Sequence, residues 1–457
     1  MNYGSLSKTL VSPRRWLFLP FVVKTREREG VSLTAFEAAE RGWGCILGSR
    51  KIGVRTDLPT GLVIEKLISP GAAPHISEMI RQGKNVTVLC EEGLVYPNAQ
   101  EYRRRKIDKT SYDMVQRFFA WGENQANDLS EKFGNENAKI VVTGNPRFDF
   151  HRPELRGVFD DSVATIQRKY APFVLINTRF SLFNSLRGEK AVVRYMVDFD
   201  KTSSEGEIRD QIAFQGQIYE SFVELIEALQ VRFQDLNVVI RPHPAERPEP
   251  WQEMARRHKR VHAVHDGNVI PWILASEAIV HTNCTTAVEA YLLGKPAIAL
   301  RPVRDPRFDM HLPNALSQDA SDVNEACDLI AALLAGQAQI KDSVGQAMVA
   351  KRYITAMDGP LAAARLVEAI DGFDLPEQSL SIVPKFQQEV RSLAQRWYRN
   401  APLAFADLWA DGAGSKHNPK GYRPGELAKL LEDLRRVTGR FQAVRITQIE
   451  PGLYCVY

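Results

Sequence analysis

Three short stretches carry residue types suited to gripping or reacting with an anionic ligand: Cys90-Glu91-Glu92-Gly93, Arg241-Pro242-His243-Pro244, and Thr282-Asn283-Cys284-Thr285-Thr286-Ala287-Val288-Glu289. In the first, neighbouring side chains at a strand end point to opposite faces, so one of Glu91 and Glu92 is expected to face a cleft. The following glycine lets a substrate come close to the backbone. A carboxylate there suits deprotonation of a hydroxyl or attack on a sugar carbon; a solvated turn accounts for the same residues equally well. In the second stretch, two prolines hold the chain extended and aim the imidazole of His243, which can then donate to a phosphate oxygen as a leaving group departs. Arg241 adds a planar fork suited to phosphate. In the third, Thr286 and Glu289 match a capping box, and a helix start built from hydroxyls also exposes free N–H groups to an anion. Thr282, Asn283 and Thr285 belong to the same candidate nucleotide site.

These stretches need elements to position them. Val238–Arg241 and Ala278–His281 read as buried parallel strands ending in polar residues, where an open α/β sheet binds its ligand. Strand-like and helix-like text alternates from Trp16 onward. It predicts strands at Trp16–Val23, Cys45–Gly48, Gly61–Ile68, Asn85–Cys90 and Lys139–Thr143, helices at Ser32–Arg41 and Pro74–Gln82, and a long helical stretch over Ala99–Phe133. A second series predicts strands at Phe173–Asn177, Asn237–Arg241, Ala278–His281 and Ala297–Leu300, with helices near Gly206–Phe233, Trp251–His258 and Thr286–Leu293, then Glu325–Leu334 and Ala362–Ile370. The expected class is α/β, with two Rossmann-like domains, 1–160 and 161–375, and a mainly helical C-terminal extension, 376–457, packed on them. In the extension, helices near Phe386–Tyr398 and Gly425–Val437, aromatic residues Phe405 and Trp409, and a final strand are expected. Pro-Arg-Phe-Asp occurs twice, at 146–149 and 306–309, and is read as coincidence.

At 457 residues the chain exceeds one usual hydrophobic core. A formal charge of +4 gives no nucleic-acid signal and suits an anionic donor or the cytoplasmic face of a membrane. The five cysteines have neither paired nor metal-ligand spacing, which fits a reducing, cytoplasmic compartment. Met1–Arg15 carries no secretion signal, and Trp16–Val23, with Pro20, is far short of the roughly 20 residues a membrane helix needs. It is read as a core strand, with peripheral membrane contact as the weaker option.

Taken together, Glu91-Glu92-Gly93, His243-Pro244 and Thr285-Thr286 resemble the acidic-Gly, His-Pro and hydroxyl motifs of bacterial transferases that use CMP-activated keto-sugar acids, the sialyl-type and Kdo transferases of GT-B architecture. Gly144-Asn145-Pro146-Arg147-Phe148-Asp149 and the block from His281 to Pro296 look closer still to surface-carbohydrate biosynthesis proteins. The resemblance covers about residues 15 to 370. It implies a cleft between two facing Rossmann-like domains, a base or nucleophile at Glu92, contact of His243 with the departing CMP, and a phosphate grip from Thr285 and Thr286. It implies a nucleotide-sugar donor and a surface glycan or lipid-linked glycan acceptor; no cofactor and no required metal are expected, in a cytoplasmic protein with peripheral contact at the cytoplasmic face of the inner membrane as a further option.

Asn177 and Arg179, at the end of the first strand of the second half, are further candidates for meeting the donor. Arg26 and Arg28 are candidates for facing the acceptor, although an alternating charge run is usually a solvated loop. Asp266-Gly267-Asn268 is a candidate for shaping a base pocket, with a tight turn as the plainer reading. Arg103-Arg104-Arg105-Lys106 reads as a solvated helix face, with anionic lipid as the second reading; Asp198-Phe199-Asp200 reads as surface. Other enzyme readings are a UDP-sugar 2-epimerase and a CDP-polyol phosphotransferase. A different class also stays open, a non-catalytic glycan- or lipid-binding partner in polysaccharide assembly.

Overall fold

The computed structural model describes residues 9–21, 24–134, 139–200, 203–337, 344–382, 422 and 425–457. Its strands are β1 (Thr9–Arg14), β2 (Trp16–Phe21), β3 (Gly44–Ser49), β4 (Leu62–Glu65), β5 (Asn85–Val88), β6 (Phe118–Ala120), β7 (Ile140–Val142), β8 (Phe173–Asn177), β9 (Asn237–Arg241), β10 (Val261–Ala263), β11 (Ala278–His281), β12 (Ala297–Leu300), β13 (Gln318–Ala320), β14 (Gln378–Ile382), β15 (Ile446–Glu450) and β16 (Leu453–Val456). The apolar run at Trp16–Phe21 is buried throughout as β2, a core strand.

The second sheet runs β10-β9-β8-β11-β12-β13, all parallel. Its central strands β8 and β11 are buried along their whole length, which requires helices on both faces. The chain leaves β8 toward β9 on one side and returns to β11 on the other, so a crevice opens at the carboxyl ends of β8 and β11. The first sheet runs β15-β16-β3-β2-β4-β5-β6-β7, with β2 to β7 parallel and a reversal at β2. Two Rossmann-like units facing a cleft define the GT-B fold.

The first unit is tightly packed within itself. The helix Lys24–Glu40 crosses the turn Pro146–His151 so closely that a Cβ on Gly30 would lie 2.7 Å from the Arg147 nitrogen. Only glycine fits that approach.

Several elements differ from the sequence expectation. The charged run Arg26–Gly30 is the start of a helix rather than a solvated loop, because Glu27 and Glu29 are buried beside Arg26 and Arg28. The helical stretch expected over Ala99–Phe133 breaks into Ala99–Lys106, Lys109–Met114, the strand β6 and Glu123–Phe133. Three buried residues are too few for a strand period to show against helical neighbours.

The helices Val344–Tyr353 and Ala362–Asp371, read with the second domain, pack against the first. The Thr355 N–H donates to the Trp121 carbonyl at 2.9 Å, and Trp43 Nε1 donates to Asp371 Oδ1 at 2.8 Å. Asp149 accepts from the N–H groups of Ala362 and Ala363 at 2.7 and 2.9 Å, capping that helix. The described part of the C-terminal segment is also more strand-rich than expected. β14 pairs with β1, and β16 joins β3 antiparallel, while the helix Glu426–Thr438 packs on the first unit through buried Leu427, Leu431 and Leu434. The expected helix at Phe386–Tyr398, with Phe405 and Trp409, lies outside the described residues.

Candidate active site

Both sheets direct their carboxyl strand ends into the cleft. Past β5, the two neighbouring carboxylates part company. Glu91 turns inward, with its side chain 6% exposed, and pairs with Lys66 at 2.6 Å. Burial pushes its proton affinity up, but Lys66 and then Arg26 outweigh it, and the net pKa lies below the ordinary carboxylate value. Glu92 turns to the cleft, 3.3 Å from Arg26 and 3.8 Å from Lys106, with its side chain 38% exposed. Loss of hydration works to raise its pKa, yet Lys106 and Arg26, with Arg179 behind them, hold it at about 2. Glu92 is therefore a fixed anion at neutral pH. A base works best with a pKa near the working pH, so this geometry suits charge stabilisation or nucleophilic attack better than proton abstraction.

Opposite stands His243, after β9. The Ala245 N–H donates to its Nδ1 at 3.2 Å, which places the ring proton on Nε2. Loss of hydration in the cleft draws its pKa down to about 4, with Arg179 and Arg26 adding to the effect and Glu92 opposing it, while the residue itself stays exposed to solvent. His243 is thus a neutral donor at pH 7. Arg179, after β8, anchors one guanidinium nitrogen on the Asn283 carbonyl at 2.8 Å, and its pKa is lowered by burial. Thr285, half-buried, opens the helix Thr285–Leu292 beside these groups.

The structure thus brings Glu92, Arg26, Arg179, His243 and Thr285 toward one cleft, and assigns other candidates elsewhere. Arg28 faces no cleft; it pairs with Glu29 and reaches Glu426 at 3.5 Å. Arg241 donates to the carbonyls of Asp266 and Gly267 at 2.7 and 3.0 Å and lies over the Trp272 ring, so its fork holds that loop rather than a phosphate. Glu289 is 1% exposed and pairs with Arg147 from the first unit, which removes it from any ligand. The expected capping box does not form, since Cys284 is the N-cap residue and makes no side-chain cap. Thr286 instead accepts from Asn177 Nδ2 at 2.9 Å and sits 3.0 Å from Cys284 Sγ. Asn283, at φ 51°, turns inward to accept from the Met310 N–H at 2.8 Å and Asn314 Nδ2 at 2.9 Å. Thr282 is buried beside Arg179. The second Pro-Arg-Phe-Asp engages other partners than the first: Arg307 pairs with Asp305 and Asp210.

Two residues were not singled out from the sequence. Lys106 belongs to the basic run read as a solvated or lipid-facing surface, yet it turns to Glu92, while Arg103, Arg104 and Arg105 bond Glu131, Glu101 and Ser203. Glu246, 3% exposed, accepts from Thr178 Oγ1 at 2.8 Å, the Phe180 N–H at 2.8 Å, Trp251 Nε1 at 3.1 Å and the His243 N–H at 3.3 Å. One carboxylate therefore ties the loop bearing Arg179 to the loop bearing His243. In Glu246→Gln an amide NH2 must oppose one of these donors, which costs about 1–3 kcal/mol. The expected result is a lower unfolding midpoint in denaturant; an unchanged midpoint would remove Glu246 from this role.

Among the described residues no helix is long and apolar enough to cross a membrane. No protein-family model and no curated protein matches the sequence. Among solved structures the chain is similar to the Staphylococcus aureus MnaA-UDP co-structure (13% identity, 78% of this chain and 96% of that one, TM-score 0.49). It is also similar to the wall teichoic acid polymerase TagF with CDPG (9% identity, 78% and 87%, TM-score 0.49). A third likeness is Methanocaldococcus jannaschii UDP-GlcNAc 2-epimerase with UDP-GlcNAc and UDP (13% identity, 78% and 99%, TM-score 0.47).

Proposed function

We propose that this chain is an enzyme of surface-glycan synthesis that acts on a nucleotide-linked sugar or polyol in the cleft between its two sheets. The observation that carries the reading is the fixed carboxylate of Glu92 held opposite the neutral donor His243 and the cation Arg179. In the reaction, Nε2–H of His243, the Arg179 guanidinium and the first turn at Thr285 take up the charge that grows on the departing phosphate. For a sugar donor, Glu92 faces the anomeric carbon, which becomes electron-poor as the phosphate departs, and stabilises or attacks it. For a CDP-linked polyol, the acceptor hydroxyl attacks the β-phosphorus and loses its proton while CMP departs onto the same donors. Charge balance narrows the donor. Arg26, Lys106 and Arg179 outnumber Glu92 and the buried Glu27 beside Arg26, so the cleft is net positive and an anionic ligand fits.

Two donor classes meet that requirement. A CMP-linked keto-sugar acid, the class the sequence motifs resemble, carries one charge on its phosphodiester and one on the sugar carboxylate. A UDP-linked sugar or CDP-linked polyol, like the ligands named in the similar structures, carries both on its diphosphate. The second class needs no separate pocket for a carboxylate and is the leading reading; the acceptor, where one is used, is a surface polysaccharide or its lipid-linked precursor. Incubation with CMP-Kdo, UDP-GlcNAc and CDP-glycerol, followed by chromatography of nucleotide and sugar products, separates the classes. Conversion of a UDP- or CDP-linked donor alone is expected; conversion of CMP-Kdo alone moves the assignment to a keto-sugar acid transferase.

A pH profile tests the proton inventory. Glu92 loses its charge only near 2 and His243 gains one only near 4, so kcat/KM should show no limb from either group between pH 5 and 8. A limb near 6.5 that vanishes in His243→Gln contradicts the geometry described.

A further inference from the structure

Arg26, 3.3 Å from Glu92, stands at the start of the helix Lys24–Glu40. A helix start is weakly constrained, because the first four N–H groups have no partner within the helix and the ends fray. Here that start is held by a distant stretch of chain. The Tyr422 hydroxyl, 394 residues on, donates to the Arg28 carbonyl at 3.2 Å. It also lies 2.7 Å from the Ser32 hydroxyl, which bonds the same carbonyl at 2.7 Å. Tyr422 is 4% exposed, with its ring edge-on to Phe21 at 5.3 Å and to Tyr454 at 5.6 Å. Glu426, at the start of the helix Glu426–Thr438, adds a 3.5 Å contact to the Arg28 guanidinium.

The same C-terminal segment grips the other end of the helix. Arg440 bonds the two carboxylate oxygens of Glu37 at 2.7 and 2.8 Å and Glu40 at 2.6 Å, and the Phe441 N–H donates to Glu40 at 2.7 Å. With both ends held, the helix has little freedom to shift along or about its axis. Arg28 itself faces no cleft, so what Tyr422 and Glu426 do there reaches the reaction through the backbone that also carries Arg26.

We infer that Tyr422 and Glu426 are positioning residues for the reaction in the cleft: by fixing the start of this helix they hold the Arg26 guanidinium against Glu92. The contact has little slack, because at 3.3 Å a further shift of about 1 Å takes it out of hydrogen-bond range. Displacements of that size, made far from the reacting atoms, lower turnover by up to about a hundredfold. The nucleotide, in contrast, is gripped from the second unit by His243 and Arg179, which this helix does not carry. Turnover and nucleotide affinity should therefore respond differently. The inference rests on the proposed role of Glu92 in the nucleotide-linked reaction.

The test is a double-mutant cycle between Tyr422→Phe and Arg26→Ala, read as kcat on the preferred of UDP-GlcNAc, CDP-glycerol and CMP-Kdo, with calorimetry on the free nucleotide. Tyr422→Phe removes the hydroxyl and keeps the ring against Phe21 and Tyr454. Its kcat should fall about tenfold while nucleotide affinity stays at the wild-type value. In the Arg26→Ala background the same substitution should cost nothing further, because its effect runs through the guanidinium already removed. Glu426→Gln, at a side chain 22% exposed, carries the same comparison if Tyr422→Phe does not fold. Wild-type kcat in a folded Tyr422→Phe or Glu426→Gln protein, or losses that multiply with that of Arg26→Ala, overturn the positioning role and leave the nucleotide reading standing. Wild type that converts none of the three donors overturns that reading and the positioning role with it.

Discussion

Turnover in Glu92→Gln should fall by on the order of 10³-fold, with nucleotide affinity unchanged or slightly raised. The substitution keeps the shape of the side chain and removes the one negative charge held between Arg26 and Lys106. Because the carboxylate is ionised down to a pKa of about 2, its use lies in its charge and not in taking a proton. A transition state with a developing positive carbon loses that stabilisation in the glutamine variant, whereas a bound nucleotide loses only a repulsion. Steady-state kinetics on the preferred donor, paired with calorimetry on the free nucleotide, read both halves. A turnover drop below about threefold would return Glu92 to the solvated turn that the sequence also allowed.

The largest effect on stability is expected at Arg147. Its guanidinium, side chain 12% exposed, pairs with Glu289, side chain 2% exposed, and the two come from different sheet units. Burial, reinforced by Arg26, draws the Arg147 pKa down to about 10, so it stays charged at neutral pH. Arg147→Met leaves the Glu289 carboxylate buried without its cation, which costs about 3–5 kcal/mol. Chemical denaturation should show this as a lower midpoint. Adding Glu289→Leu in the same chain should restore much of the loss, because the destabilising element is the stranded charge and not the missing pair. A single variant as stable as wild type would mean that the pair contributes nothing to joining the units.

The strands that build the cleft were legible for a physical reason. β9, β11 and β12 are short, apolar and buried on both faces, so their text is continuous and their ends are marked by polar residues. Their placement at a switch point followed from alternation with helices, and it brought Glu92, His243 and Arg179 into consideration. What stayed hidden was partnership over long sequence distances. Nothing around Arg28 announces Glu426, and nothing around Glu289 announces Arg147, so both were counted toward ligands. Lys106 was lost inside a run of four cations because only the packing of the helix Ala99–Lys106 decides which one turns to the cleft. Glu246 offered one weak signal, an acid three residues beyond His243, without any sign that four donors converge on it. The C-terminal strands were hard to place for a similar reason, since β16 finds β3 across the whole chain.

The central claim, that one nucleotide is held by His243 and Arg179 in the cleft, is tested most directly by calorimetric titration of CMP, UDP and CDP into wild type, His243→Ala and Arg28→Ala. At least one nucleotide should bind wild type. His243→Ala should weaken that binding by about tenfold or more, the loss of one hydrogen bond to a charged group. Arg28→Ala, whose cation is spent on Glu29 and Glu426 away from the cleft, should leave it unchanged. A wild-type protein that binds none of the three, or a His243→Ala protein that binds as wild type does, would contradict the account.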